Sequence, residues 1–226
     1  MGSEASAYTD SLDRFLFRMS YWLPFLNPRG YIAKQELAGY GKILDVGCGN
    51  GAGSPVAIRP RHENDSCVGL DAFRPYLAQA LKEGPYRAIL IGGVSRLPLR
   101  DQSFEVVLAL DVIEHLERNE GLRLLDEVER VATRRVVVLT PNGFLPQSGY
   151  DDNVLQAHRS GWTALDFEGR GYRVLGMYGL KQWRGELGKC RFKPKAIGLL
   201  LSYVSQLVTK HDPEKAYYLL AVKDLS

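Results

Sequence analysis

The run Ile43-Leu44-Asp45-Val46, passing directly into Gly47-Cys48-Gly49-Asn50-Gly51-Ala52-Gly53, constrains this chain more than any other segment. The first four residues read as a buried strand, and glycines at alternate positions after them read as a tight loop. Glycine has no Cβ and enters positive φ without steric cost, so Gly47, Gly49 and Gly51 let the main chain turn sharply and approach a bound molecule closely. The loop feeds a helical pattern at Gly53–Arg59, and strand, glycine loop and helix in that order open a doubly wound α/β sheet. Spacing alone leaves the ligand undecided, because Gly47-x-Gly49-x-x-Ala52 also satisfies the relaxed dinucleotide-binding fingerprint.

The remainder of the chain repeats the alternation. Strand-like runs occur at Lys42–Asp45, Ser66–Leu70, Ala88–Ile91, Glu105–Leu110, Arg135–Leu139, Tyr172–Met177 and Ala216–Val222, each rich in aliphatic or β-branched residues. Helical patterns at Pro75–Glu83 and Asn119–Ala132 fill two of the gaps, which predicts a mostly parallel sheet covered on both faces by crossover helices. An aromatic helix is predicted over Ser11–Leu26, ended by Pro24 to Pro28, and a short one over Tyr31–Leu37. With 226 residues, the chain suits one ordinary domain with a small appendage.

Composition excludes several classes. A net charge of +3 is too mild to argue for nucleic acid as a partner. Three cysteines, Cys48, Cys67 and Cys190, show no framework spacing and no Cys-x-x-Cys pair, so a reducing cytoplasmic setting is expected and no metal site is indicated. The start of the chain lacks a secretory pattern, and no apolar run reaches the ~20 residues of a spanning helix.

Asp45-x-Gly47-x-Gly49-x-Gly51 resembles the first motif of the class I S-adenosylmethionine-dependent methyltransferases, in their small-molecule branch. Three linked segments carry the same resemblance. Cys67-Val68-Gly69-Leu70-Asp71 ends in an acid 24 residues after Gly47, near the spacing of a ribose-binding carboxylate. Asp101 through Phe104 to Leu116 is similar to the family's fourth strand and following turn, and Leu97-Pro98 to the end of the loop along the adenine edge. The resemblance implies a Rossmann-like doubly wound seven-stranded sheet, mostly parallel with an antiparallel last strand and helices on both faces. It also implies S-adenosyl-L-methionine as cofactor and methyl transfer by in-line displacement. On the matching positions, Gly47, Cys48, Gly49, Asn50 and Gly51 face the methionine part, with Asp45 anchoring their loop. Asp71 binds the ribose, Ala72 and Phe73 follow it with Phe73 over the adenine, and Gly93 and Val94 lie at the adenine edge. Leu110 and Asp111 approach the methionine amino group, with His115 beside them. The family frequently has aspartate where this chain has Gly93, so the adenine amino group needs a water or Ser95 instead.

Each assignment has a competitor. Asp71 also suits a cap for the helix near Pro75, Phe73 also suits the core, and Asp111, Glu114 and His115 also suit a helix start rich in acids. Downstream, Thr140-Pro141-Asn142-Gly143 follows the fifth strand. The stretch with Gln156, His158, Arg159 and Ser160 before Trp162 resembles an acceptor-facing segment of small-molecule members. His158 is the one candidate general base, since its ordinary pKa near ~6.5 leaves it largely neutral; a histidine bonding a nearby loop is the competing reading.

The expected organisation is an N-terminal helical lid segment, residues 1–38, and a methyltransferase domain, residues 39–226. Within the latter, 181–210 form a basic then apolar insertion. That insertion suits packing on the sheet or peripheral contact with a membrane surface. The expected acceptor is a small molecule or lipid-like compound. Transfer to RNA or protein is an alternative, although the asparagine-proline-proline-tyrosine signature of amino-group nucleic-acid enzymes is absent. A non-catalytic S-adenosylmethionine-binding protein is another. A nicotinamide oxidoreductase fits less well, because no reactive Tyr-x-x-x-Lys constellation follows.

Overall fold

Residues on successive positions of the central strands are apolar in both phases, and the structure shows why. In a computed structural model describing residues 28–57, 65–94, 96–149, 153–184 and 204–225, the sheet is buried on both faces. Leu44, Val46, Val107, Ala109, Val136 and Val138 point into one core, and Ile43, Val106, Leu108, Val137 and Leu139 point into the other. The strands are β1 (Lys42–Val46), β2 (Ser66–Asp71), β3 (Ala88–Ile91), β4 (Phe104–Leu110), β5 (Ala132–Pro141), β6 (Arg173–Leu180) and β7 (Ala216–Asp224). Their order is β3-β2-β1-β4-β5-β7-β6; β1 to β5 pair in parallel, and β7 runs antiparallel to both β5 and β6. The seven-stranded, mostly parallel sheet with its antiparallel last strand is as the sequence predicts.

Helices among the described residues include α1 (Pro28–Tyr31), α2 (Arg74–Glu83), α3 (Arg118–Val131) and α4 (Ala164–Glu168). Reciprocal bonds between Glu117 and Glu120 cap α3, and Leu124, Leu125, Val128 and Val131 bury its apolar stripe. A Cβ on Gly121 would lie 2.3 Å from the ring of fully buried Trp162, so glycine there sets how closely α3 meets that indole. The Arg118 guanidinium lies 3.8 Å from the centroid of the same ring.

Two local predictions differ from the fold. Residues 31–37 are not one regular helix: α1 passes into a π turn over Ile32–Glu36, which buries Ile32, Ala33 and Glu36. After the glycine loop a 3₁₀ turn forms at Pro55–Ala57, and the rest of the expected helix, residues 58–59, lies outside the described residues. The expected helix over Ser11–Leu26, Ser95, and most of the basic and apolar insertion lie outside the described residues. Among the described residues, no helix is long and apolar enough to cross a membrane.

Candidate active site

The strand order reverses direction between β1 and β4, and in such sheets ligands sit beyond the carboxyl ends of the strands at that point. Gly47 follows β1, Asp71 ends β2, Asp111 follows β4 and Asn142 follows β5, so four separated segments converge on one edge. Two cavities open there. One, of about 310 Å³, runs along Gly47, Asp71, Ala72, Gly93 and Val94. The other, of about 340 Å³, is walled by Arg29, Glu114, His158, Tyr178, Tyr217 and Tyr218. Asp111, His115 and Gln156 border both.

The loop-side cavity is shaped by main chain. Gly47, Gly49 and Gly51 have φ of +70°, +55° and +80°. At Gly47 a Cβ would sit 2.3 Å from Val112, whereas at Gly49 and at Gly93 it would meet nothing within 4 Å, which leaves open space for a ligand. Asp71 holds the loop: Gly49 N donates to its Oδ2 and Phe73 N to its Oδ1, each at 2.8 Å. A carboxylate has about four lone-pair sites, so both oxygens keep capacity toward the cavity that Asp71 lines. The N-cap of α2 is Phe73, whose own side chain makes no capping bond, and Asp71 meets the N-cap amide rather than occupying the cap position itself.

Asp45 lies beneath the loop, 4% exposed, where Ser54 Oγ donates at 2.6 Å and Tyr86 OH at 2.7 Å. Burial raises its pKa against the opposing pull of those two donors. The other expected residues stand back from the wall. The Cys48 thiol is buried and raised in pKa, chiefly by burial, while the Asn50 side chain closes the turn by accepting from Ala52 N. Leu110 packs against the core, and the Phe73 ring lies edge-on to Tyr76 at 4.7 Å rather than lining the cavity.

Asp111 occupies the seam. It is a non-glycine residue at φ +56°, a conformation that aspartate tolerates better than most side chains. Its Oδ2 lies 3.6 Å from the Arg29 guanidinium, and its buried Oδ1 has no partner among the described residues. Burial raises the Asp111 pKa and Arg29 opposes the rise. Beside it, Glu114 is 2% exposed, and burial followed by the Asp111 charge lifts its carboxyl well above the usual range. His115 and His158 stand with ring centroids 4.8 Å apart, and burial lowers both pKa values. His115 Nδ1 faces Ala157 O at 3.3 Å and His158 Nδ1 faces Leu145 O at 2.6 Å. Glu114, His115 and His158 are also the one group among the described residues whose donor atoms cluster closely enough to hold a metal ion.

Main-chain bonds stitch the segment carrying His158 onto this edge. Arg159 N and Ser160 N donate to Glu114 O at 2.8 and 3.1 Å, and Ser160 Oγ donates to Ile113 O while accepting from Trp162 Nε1. Ser160 is therefore a structural clasp, whereas Gln156 and His158 face the tyrosine-side cavity and Gln156 and Arg159 the loop-side one. Sequence reading missed Arg29, Ser54, Tyr86, Tyr178, Tyr217 and Tyr218. No local pattern marks them, because each reaches the site through the fold.

The profile of a family described as "Methyltransferase domain" matches residues 44–144, the stretch that supplies the glycine loop, Asp71 and Asp111. Residues 44–144 are thus similar to a methyltransferase domain. The methyltransferase domain of bacterial CtHen1-C is 16% identical with TM-score 0.55, over 89% of this chain and 98% of that one. Magnesium protoporphyrin IX methyltransferase from Synechocystis, solved with bound S-adenosylhomocysteine, is 13% identical with TM-score 0.51, over 92% and 85%. SpnF, a [4+2]-cyclase, is 17% identical with TM-score 0.53, over 87% and 80%. At these identities the likeness is one of fold, and fold does not choose an acceptor. No protein of curated function matches the sequence. The loop-side cavity suits a close-lying molecule with a cationic amino group: the Cβ directions at Gly49 and Gly93 are open, and the buried Asp111 Oδ1 has no hydrogen-bond partner among the described residues.

Proposed function

We propose that the methyltransferase domain transfers a methyl group to a small or lipid-like molecule seated in the tyrosine-side cavity. The observation that carries this reading is the juxtaposition of two cavities of comparable size that share Asp111 and His115. A donor in one can then address an acceptor in the other. A volume of about 340 Å³ walled by three tyrosines suits a compact molecule, or one end of a longer one, rather than a folded macromolecular surface.

On the cofactor side, Asp71 takes the ribose hydroxyls, and the Cys48 to Gly51 main chain runs along the methionine part. Gly93 and Val94 edge the adenine, Ala72 flanks it and Phe73 supports Ala72 from behind. Asp111 Oδ1 and the main chain at Leu110 receive the amino group, with His115 beside them. Asp45, tied to Ser54 and Tyr86, keeps the loop in register. When bound, the cofactor supplies an activated sulfonium methyl, so the protein's task is to align the acceptor and exclude water. Alignment alone is worth roughly 7 to 11 kcal/mol in favourable cases. His158 is the acceptor-side catalytic residue: its Nε2 is left free by the Nδ1 contact to Leu145 O and takes the proton of an acceptor hydroxyl.

Residues 1–38 act as the lid in this reading, supported by Arg29, which reaches from α1 to the cavity wall. The buried thiol of Cys48, in no disulfide among the described residues, supports a reducing, cytoplasmic setting. Transfer to RNA is the second reading, motivated by Lys181 and Arg184 at the start of the basic insertion. Calorimetry with S-adenosylhomocysteine, followed by a methyl-release screen of phenolic, carboxylic and lipid acceptors against RNA, separates the two. Turnover on RNA alone defeats the small-molecule reading.

A further inference from the structure

We propose that Glu114, His115 and His158 form a site for one divalent first-row transition cation at the seam of the two cavities, with a coordination position open to the tyrosine-side cavity. The candidate donors, one carboxylate oxygen and one ring nitrogen from each histidine, all lie within 4.8 Å of one another. Two imidazoles and a carboxylate suit zinc, manganese or ferrous iron better than magnesium or calcium, and three protein ligands leave room for a substrate oxygen.

The ligand orientations are fixed by groups that are not themselves donors. A carbonyl oxygen only accepts, so the contacts to Ala157 O and Leu145 O place the hydrogen of each ring on Nδ1 and the lone pair on Nε2. Thr140 Oγ1 donates to Glu114 Oε2 at 2.9 Å and steadies the carboxylate. Histidines bonded through their second nitrogen to main-chain carbonyls, with a hydrogen-bonded carboxylate between them, are the outer-shell pattern that orients metal ligands. Charge points the same way. Glu114 is 2% exposed and forms no ion pair among the described residues, while the nearby Arg29 faces Asp111 at 3.6 Å. A bound cation supplies the counter-charge that ionising this buried carboxyl requires.

The inference rests on the tyrosine-side cavity being the acceptor site. A cation there binds the acceptor hydroxyl at its open position and lowers the hydroxyl's pKa, so the O–H bond breaks, the proton leaves to solvent water and the oxygen stays on the cation. His158 is then a ligand rather than a free proton acceptor.

The test uses the full chain after chelator treatment, titrated with Mn²⁺ while free Mn²⁺ is followed by electron paramagnetic resonance. S-adenosylhomocysteine binding is measured in parallel by calorimetry. The expected result is one Mn²⁺ per chain, displaced by Zn²⁺, with affinity at least ~10-fold weaker in His158→Ala and in His115→Asn. S-adenosylhomocysteine affinity is expected to stay unchanged in His158→Ala, which shows that this variant is folded. Uptake of neither Mn²⁺ nor Zn²⁺ by a protein that binds S-adenosylhomocysteine overturns the cation site and leaves the methyltransferase reading intact. Equal Mn²⁺ affinity in all three proteins overturns it too. Failure to bind S-adenosylhomocysteine is a separate result and strikes the cofactor assignment instead.

Discussion

The loop-side cavity and the tyrosine-side cavity touch at Asp111 and His115, yet they are built from different materials. The first is bounded on one side by main chain, a glycine loop with positive φ at three positions held by two amide bonds to Asp71, and on the other by side chains such as Val94, Leu116 and Arg159. Its residues arrive in short runs beside the strands that position them. The second is mostly side chain, drawn from α1, the turn after β4, the 145–158 loop, β6 and β7. A main-chain site tolerates side-chain drift around it and keeps one ligand, whereas a side-chain site is free to be recast for different acceptors. The family profile ends near residue 144, just where most of the tyrosine-side wall begins.

Separate construction implies that the halves can be damaged separately, and the largest expected effect tests this. His158→Gln is expected to slow single-turnover methyl transfer by ~10²- to 10⁴-fold while changing S-adenosylhomocysteine affinity less than ~2-fold. Rapid-quench and calorimetric measurements on one preparation check it, and a parallel loss of both would break the distinction. Asp71→Ala is the converse. Removing two charge-assisted bonds to ribose hydroxyls, each worth ~1.5 to 3 kcal/mol, is expected to weaken S-adenosylhomocysteine binding by ~100-fold or more. Release of Gly49 N adds to the loss.

A third effect probes the floor of the loop. Tyr86→Phe strips a 2.7 Å hydrogen bond from the buried Asp45 carboxylate and is expected to cost ~1 to 3 kcal/mol in urea unfolding, with cofactor affinity falling as the loop loosens. The smallest lies outside both cavities, where α3 meets the turn at Leu97 to Asp101. Two Arg130 hydrogen bonds of 2.8 Å hold the Glu127 carboxyl below its ordinary value, against partial burial and with help from Leu97 N. A depressed carboxylate stabilises the fold above the unfolded pKa of ~4.3, and that contribution is lost as pH falls through the folded value. Acid melting of Glu127→Gln is therefore expected to differ from wild type by less than ~1 kcal/mol near neutrality and to converge with it below the folded pKa.

Legibility in the sequence followed the same division. The glycine loop, Asp71 and the strand alternation were readable because covalent neighbours create them, and the strand positions agree with the fold to within a few residues. Of the helix expected after the loop, the described residues show a 3₁₀ turn at Pro55–Ala57, and residues 58–59 lie outside them. Phe73, expected over the adenine, has a second partner in the fold, since Tyr76, three residues on along α2, meets its ring edge-on. Ser160 looked like an acceptor-facing group and proved to be a clasp, because only the fold brings Ile113 O and Trp162 Nε1 to it.

By itself the sequence determined that this chain forms a doubly wound sheet with a glycine loop after its first strand. Periodicity, glycine placement and acid spacing act over a few residues, and no tertiary choice can override them all at once. Tertiary structure alone decided what stands across from that loop. The meeting of Arg29 with Asp111, of Tyr86 with Asp45, and of His115 with His158 joins positions 29 with 111, 45 with 86 and 115 with 158. Such pairs come together only when the whole sheet closes, because burial of both its faces, rather than any local pattern, brings those side chains to one edge.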